Sequence, residues 1–455
     1  MNHAISDQVT GWLAGLRYEQ LPAPTRAAAC QVLLDASGVM LGASGLSAEV
    51  APFVSLALDQ GAGSAAVPGT GRTTSAAMAA FAGGAMAHAL DYEDAFDLAP
   101  GHPNASLVPA LIALAQAEGP VDGKRFLTAL VAGCELSCRM GLALRRPMET
   151  GGWYPPPILA AFGAAAGAGL LLGLDAGQLR DALSLTLCQA VIPGEIKYSA
   201  GTVIRAVREA FPAQAAVTSA LLARAGVAGF EQPLEGKAGF FALYAGGQFA
   251  PEELTAPPGE RFWIEQLTFK PWPSCRGTHA AIELALDLRA AHGLDAGQIA
   301  AVTIEVDAVQ QMLVDPLARK QAPETVIDAK FSIPWCAALA LADGRVDLDS
   351  FAPERLADPA LRELAGRITP RLVAGQGWQR GGGGAMDLHL TGGRVLRAEV
   401  ANAHGCPARP LGEGELVGKF IDCASRAKVP PADPAALAER ILRLEQCEDV
   451  GALFA

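Results

Sequence analysis

The chain has 455 residues, too many for one hydrophobic core and enough for two or three domains. Hydrophobic residues make up 51% and charged ones only 18%, so a large interior can be buried. The net charge of −12, with no Lys/Arg cluster, argues against a nucleic-acid partner, although a locally basic pocket could still hold an anionic substrate.

In chain order, MNHAISDQVTGWLAGLRYEQLP lacks a basic region followed by an apolar core. It reads as an amphipathic helix rather than a signal peptide. AAMAAFAGGAMAHAL and AAFGAAAGAGLLLGL predict buried helices whose small residues let backbones approach closely. Gly, Ala and polar breaks dilute these runs below the roughly 20 strongly apolar residues of a membrane span, so no membrane association is expected. Nine cysteines without a framework spacing predict a reducing, cytoplasmic setting. Cys134 and Cys138, four apart on a helix with no further ligand evident nearby, read as core.

The Ala-rich pattern breaks at HALDYEDAFDLAPGHPNASLVPALIALAQ (88–116). His88, Asp91, Glu93, Asp94 and Asp97 fall within ten residues, followed by Gly101, His102, Pro103 and Asn104. Gly-His-Pro-Asn stops one helix, and Asn104 or Ser106 is the candidate cap of the next. The bland reading is a solvated acidic loop; the functional one projects Asp91 and His102 into a cleft.

Residues 1–265 otherwise alternate apolar helices with Gly/Pro turns, with no convincing strands. The character then changes. AAVTIEVDA (300–308) alternates as a strand, and AMDLHLTGGRVLRAEV (385–400) reads as a hairpin across Thr-Gly-Gly. The Gly run at 381–385 reads as a loop entering that hairpin, not a phosphate loop, since no Gly-Lys-Ser/Thr follows. GELVGKFIDCAS to LRLEQCEDV returns to amphipathic helix. The expected division is a helical domain over 1–265, an α+β domain over 266–405, and C-terminal helices over 406–455 that rejoin the first.

Ligand sites favour domain boundaries. The boundary segment FKPWPSCRGTHAAIELAL carries a Pro-bracketed loop that delivers Cys275, Arg276, Thr278 and His279 to a helix start. Unpaired N–H groups and the helix dipole suit an anion there. The alternative is a capped helix with an ordinary surface histidine.

Several of these segments together resemble the MmgE/PrpD family, which includes 2-methylcitrate dehydratase, cis-aconitate decarboxylase and iminodisuccinate epimerase. They are HALDYEDAF with GHPNASLVPALIALAQ, YPPPILAAFGAAAGAGLLLGL, GTVIRAVREAFPAQAAVTSALLARAGVAGFEQPLEG, KPWPSCRGTHAAIELALDL and DAKFSIPWCAALAL. Each alone is weak; their order and spacing span most of the chain. The resemblance implies a mainly α helical domain with a smaller α+β lid domain, usually as a homodimer. It also implies a site between the domains that needs no metal and no cofactor. Asp91, His102 and His279 match polar active-site positions of the family, and Lys270, Arg276 and Lys330 sit in matching motifs. Lys330 reads equally as a structural partner.

Three positions depart from the lyase pattern. Ala95 stands where threonine is common, Tyr154-Pro155 where a histidine precedes proline, and Arg205 and Arg208 where Lys-x-x-His is usual. A tyrosine at 154 looks more like the epimerase branch.

The family's reactions share the handling of a proton on carbon next to a carboxylate, which needs a base and groups that stabilise an enolate-like dianion. His102 and His279 can act as acid or base, and Asp91 could hold one imidazole in the needed tautomer. Arg205 suits a bidentate grip on a substrate carboxylate. Tyr154, with its phenolate favoured by a nearby arginine, could pair with a histidine on the opposite face of the substrate and invert a stereocentre. Against these stand a packing role for Tyr154 and an exposed helix start beside Glu209 for one of the two arginines.

The leading expectation is a cofactor-independent enzyme that abstracts a proton α to a carboxylate of a small di- or tricarboxylate-like acid, leaning towards epimerase or isomerase. A hydro-lyase resembling 2-methylcitrate dehydratase is the alternative, and a non-catalytic binding or scaffold protein a further one. A metal centre built on the 88–102 cluster finds no His-Glu-x-x-His or Cys pair to support it.

Overall fold

The computed structural model describes residues 4–199, 202–259, 261–378 and 381–454. The chain divides into two compact units. The first, mainly helical, comprises the chain through Ala89, Glu93–Leu267 and the segment from Gly412 onward; the second, α+β, comprises Leu90–Tyr92 and Thr268–Leu411.

In the helical unit, α1 (Ile5–Gly15) leads into α2 (Ala23–Leu46), a short hairpin of β1 (Ala65–Val67) and β2 (Arg72–Thr74), and α3 (Ala76–Ala89). Then follow α4 (Asn104–Ala117), α5 (Gly123–Ala143), α6 (Pro155–Leu171), α7 (Ile204–Val207) and α8 (Ala210–Arg224). Punctuation is local. The Asp122 side chain caps α5 by accepting from Arg125 N–H, and α6 opens on three prolines, whose missing N–H groups cost nothing in a first turn.

Small residues set the packing. A Cβ on Gly133 of α5 would lie 2.6 Å from the carbonyl oxygen of Gly163 on α6 and 2.7 Å from Leu107 of α4, so three helices meet where no side chain fits. Gly83 of α3 likewise faces Pro109 of α4, 2.9 Å from where its Cβ would stand. This is why the Ala/Gly runs read as buried all round: α3, α4 and α6 are submerged over nearly their whole length.

Among the described residues two helices, α2 and α5, are long and apolar enough by length and composition to cross a membrane, which the sequence reading did not anticipate. Their apolar windows are 78% and 94% buried inside the protein, as core helices are.

In the second unit, α9 (His279–His292) and α10 (Ile333–Asp343) accompany a four-stranded sheet of order β4-β3-β5-β6. β3 (Ile299–Val306) runs parallel to β4 (Ile368–Leu372) and antiparallel to β5 (Gly384–Leu390), which pairs with β6 (Val395–Val400) as the expected hairpin. The register sets Val302 opposite Ile368 and Ile304 opposite Met386, so the apolar residues of β3 share one buried face. After this unit the chain enters α11 (Glu413–Ser425), which packs on α2: Gly42 meets Cys423, and Gly38 meets Phe420.

Candidate active site

The residues singled out in the sequence form two sets, one in each unit. In the helical unit α3 runs to Ala89 and is interrupted, so that His88 in its last turn and Glu93 just beyond the break come together: His88 Nδ1 is hydrogen-bonded to Glu93 Oε1. Both side chains are fully buried. On the other edge of the ring, Arg208 Nη1 contacts His88 Nε2. A guanidinium can only donate, so His88 Nε2 accepts, and the ring's proton sits on Nδ1, facing the carboxylate.

Arg208 is itself fully buried. Its Nε lies 3.2 Å from Glu209 Oε1, its Nη1 donates to the Arg205 carbonyl at 2.9 Å, and Ser106 Oγ donates to Glu209 Oε2 at 2.5 Å. Burial pushes the Glu209 carboxyl above its ordinary range, with Arg208 and the Ser106 hydroxyl pulling the other way. The backbone at Glu209 runs hard against Gly84 of α3, where any side chain would collide.

His102 lies at the edge of this network, its side chain 17% exposed. Its Nδ1 is 2.8 Å from the Asp94 carbonyl and 3.1 Å from Glu93 Oε1. A carbonyl only accepts, so Nδ1 carries the proton and Nε2 is the basic nitrogen of the neutral ring. Asn104 begins α4 but does not cap it: its amide donates to Asp94 Oδ2 at 3.0 Å. Ser106 is committed to Glu209. Neither therefore serves as the expected helix cap, and the acidic run is no solvated loop, because Glu93 and Asp94 are fully buried.

Tyr154 stands at the N-cap of α6 and is 6% exposed. Arg208 lies over its ring face at 5.1 Å from the centroid, with Lys197 at 5.2 Å, so the arginine found beside Tyr154 makes a cation–π contact. Arg205, on α7, is 8% exposed. The expectation that one of the two arginines marks an exposed helix start is overturned, since both are buried.

In the α+β unit, Asp91 has φ +49°, a left-handed conformation that Asp tolerates better than most residues. Lys270 Nζ donates to Asp91 Oδ1 at 2.6 Å and to its carbonyl at 3.0 Å, with both side chains essentially dry. The carboxylate found against two imidazole nitrogens is thus Glu93, while Asp91 fixes a turn and a lysine. Lys330, 2% exposed, donates to the carbonyls of Leu90 at 2.6 Å and Pro273 at 3.0 Å and lies over the Phe351 ring, the geometry of a strut. Arg276 donates to the Ala403 carbonyl at 3.1 Å.

His279 opens α9, fully buried, with its ring edge-on to Trp272. It is not the surface histidine of the bland reading. Its Nε2 is 3.2 Å from the Ser274 carbonyl, so Nε2 carries the proton and Nδ1 is the basic nitrogen. Ser274 and Thr278 hydroxyls share a 2.8 Å hydrogen bond below it.

For a metal, His88 and Glu93 offer suitable ligand atoms. Both nitrogens of His88 already face protein groups, and the one at Nε2 is a cation, which opposes a second positive charge. Cys134 and Cys138 are fully buried on α5, and burial raises both thiols, as fits core cysteines rather than thiolate ligands.

An imidazole held with one nitrogen donating and the other basic, beside buried carboxylates and arginines, is equipped to move a proton next to a negative charge. The chain belongs to the MmgE/PrpD family. The MmgE/PrpD N-terminal domain model matches residues 7–252 and the MmgE/PrpD C-terminal domain model residues 272–446. The chain is 26% identical to a cis-aconitate decarboxylase-like protein of Aspergillus oryzae over 99% of its own length and 96% of that protein's. It is 27% identical to the human cis-aconitate decarboxylase, over 64% of this chain and 60% of the human one. It is also 27% identical to the 2-methylcitrate dehydratase of Cupriavidus necator, over 67% and 64%.

Proposed function

We propose that this chain is a carbon-acid enzyme that takes a proton from the carbon α to a carboxylate of a small di- or tricarboxylate. His102 Nε2 is the base, and Arg205 grips a substrate carboxylate. The observation that carries the reading is the commitment of His102 Nδ1 to the Asp94 carbonyl, which leaves Nε2 as the proton acceptor on a ring that is partly exposed. Arginine cannot give up its proton at neutral pH, so Arg205 binds and stabilises charge. In the α+β unit, His279, with its tautomer set by Ser274, is the candidate acid–base group.

The relatives favour a lyase outcome on a tricarboxylate-like acid, because they are named as decarboxylases and a dehydratase. In a dehydratase the carbanion expels the β-hydroxyl, which leaves as water on a proton from an acid of the site. In a decarboxylase the C–CO₂ bond breaks first and the carbanion takes its proton from the imidazolium form of His102. A second reading, epimerisation, rests on Tyr154, which stands buried with Arg208 across its ring face. Proton NMR of the protein with a panel of small polycarboxylates in D₂O separates the two. New vinyl signals or released CO₂ support the lyase. Deuterium at an α carbon with inversion and no alkene supports the epimerase, and silence across the panel contradicts both.

A further inference from the structure

Glu93 is among the most buried acids of the chain, and one of its oxygens meets two rings. Oε1 lies 3.1 Å from His102 Nδ1 and is hydrogen-bonded to His88 Nδ1, the rings standing 5.5 Å apart at 52°. The other partners of the two rings decide where the hydrogens sit. Arg208 at His88 Nε2 and the Asp94 carbonyl at His102 Nδ1 require that both Nδ1 atoms carry hydrogens. One carboxylate oxygen therefore accepts from His88 Nδ1–H and stands 3.1 Å from His102 Nδ1, whose own hydrogen goes to the Asp94 carbonyl.

From this geometry we infer that Glu93 is the positioning residue of the site: it stands as an anion beside Nδ1 of His102 and, through neutral His88, sets Arg208 against the Tyr154 ring. The inference rests on the reading of His102 as the base. When a substrate C–H proton passes to His102 Nε2, no bond to Glu93 is made or broken. The new positive charge simply forms 3.1 Å from an anion already in place, whose full burial limits its screening by water. His88 cannot compete for that proton, because its Nε2 is covered by the arginine. Glu93 thus has the part that a buried carboxylate plays behind a histidine base in other enzymes, with a second histidine drawn onto the same oxygen.

The test uses full-length protein labelled with ¹⁵N-histidine, followed by long-range ¹H–¹⁵N spectra across a pH titration. Neutral His102 is expected as the Nδ1–H tautomer. In Glu93→Gln its titration moves to lower pH, because the anion that favours the imidazolium is gone, and Glu93→Asp restores part of the difference. On whichever polycarboxylate turns over, Glu93→Gln lowers kcat on the order of 10²-fold with KM little changed. An Nε2–H tautomer in the unaltered protein overturns the inference whether or not any variant folds. So does a His102 titration that is the same with Glu, Gln and Asp at 93. If instead His102→Asn keeps full turnover while the tautomer and its Glu93 dependence are as described, the base assignment fails and the positioning contact stands.

Discussion

Among the described residues the one non-glycine residue with a left-handed backbone, Asp91, is also closely matched in charge. Its φ of +49° would strain most side chains, and Lys270 holds it through both the carboxylate and the carbonyl. Asn accepts a left-handed φ about as readily as Asp, so Asp91→Asn removes the charge without changing the backbone requirement. It leaves the Lys270 ammonium buried without its anion, and the expected loss is about 3 kcal/mol of unfolding free energy. Urea unfolding measures it; a loss below about 0.5 kcal/mol, the size of a surface change, would show that the pair is not holding the turn. At this scale the sequence was half legible. His102 and Asp91 stand out because they interrupt an Ala-rich helical pattern with polar groups. Glu93 and His88 lie in the same stretch, yet their roles depend on Arg208 and Glu209, more than a hundred residues away, and no local spacing carries that information. The burial of both Arg205 and Arg208 was hidden for the same reason, since two arginines beside a glutamate look solvated until the helices close over them.

Among the elements, the crossing of α5 over α6 shows how Gly and Ala shape the helical unit. Gly133→Ala puts a methyl where the Gly163 carbonyl and Leu107 already stand, and the expected cost is about 1–3 kcal/mol, read as a lowered melting temperature with the helical circular dichroism retained. An unchanged melting temperature would mean that the helices slide apart freely.

In the sheet, Glu305 of β3 lies between Arg371 of β4 and Arg397 of β6. The hydrogen bond from Arg371, followed by that from Arg397, holds its carboxyl below the ordinary 4.5. A lowered acid contributes stability that is complete above its unfolded value and fades as pH falls through its folded one. The gap in melting temperature between the protein and Glu305→Gln is therefore expected above pH 4.5 and closes below it. It also narrows in high salt, because both arginines are about half exposed. A gap that is independent of pH would assign the loss to packing instead. β3 and the β5–β6 hairpin were legible by alternation. β4 was not: Pro370 argues against a strand, and the sheet tolerates it because β4 lies at an edge. The three-residue β1–β2 hairpin is too short for any period to show.

For the whole molecule, the architecture of a large helical unit with a smaller α+β one, and its family, were legible because ordered motifs run through the entire chain. The return of the segment from Gly412 to the helical unit follows from the amphipathic pattern of α11, whose apolar face needs the groove that Gly38 and Gly42 leave on α2. The α+β unit's claim on Leu90–Tyr92 is invisible to linear reading, because three residues have no composition of their own. Under the proposed function, what the chain does with a substrate turns on one nitrogen. The most direct measurement follows deuterium incorporation and product formation by NMR in D₂O, with the panel of small polycarboxylates, for the unaltered protein and for His102→Asn side by side. Proton exchange or turnover at a carbon α to a carboxylate in the first, lost by a factor on the order of 10² or more in the second while the fold persists, is the predicted result. Equal rates in the two proteins would contradict the account, since the base would then be some other group.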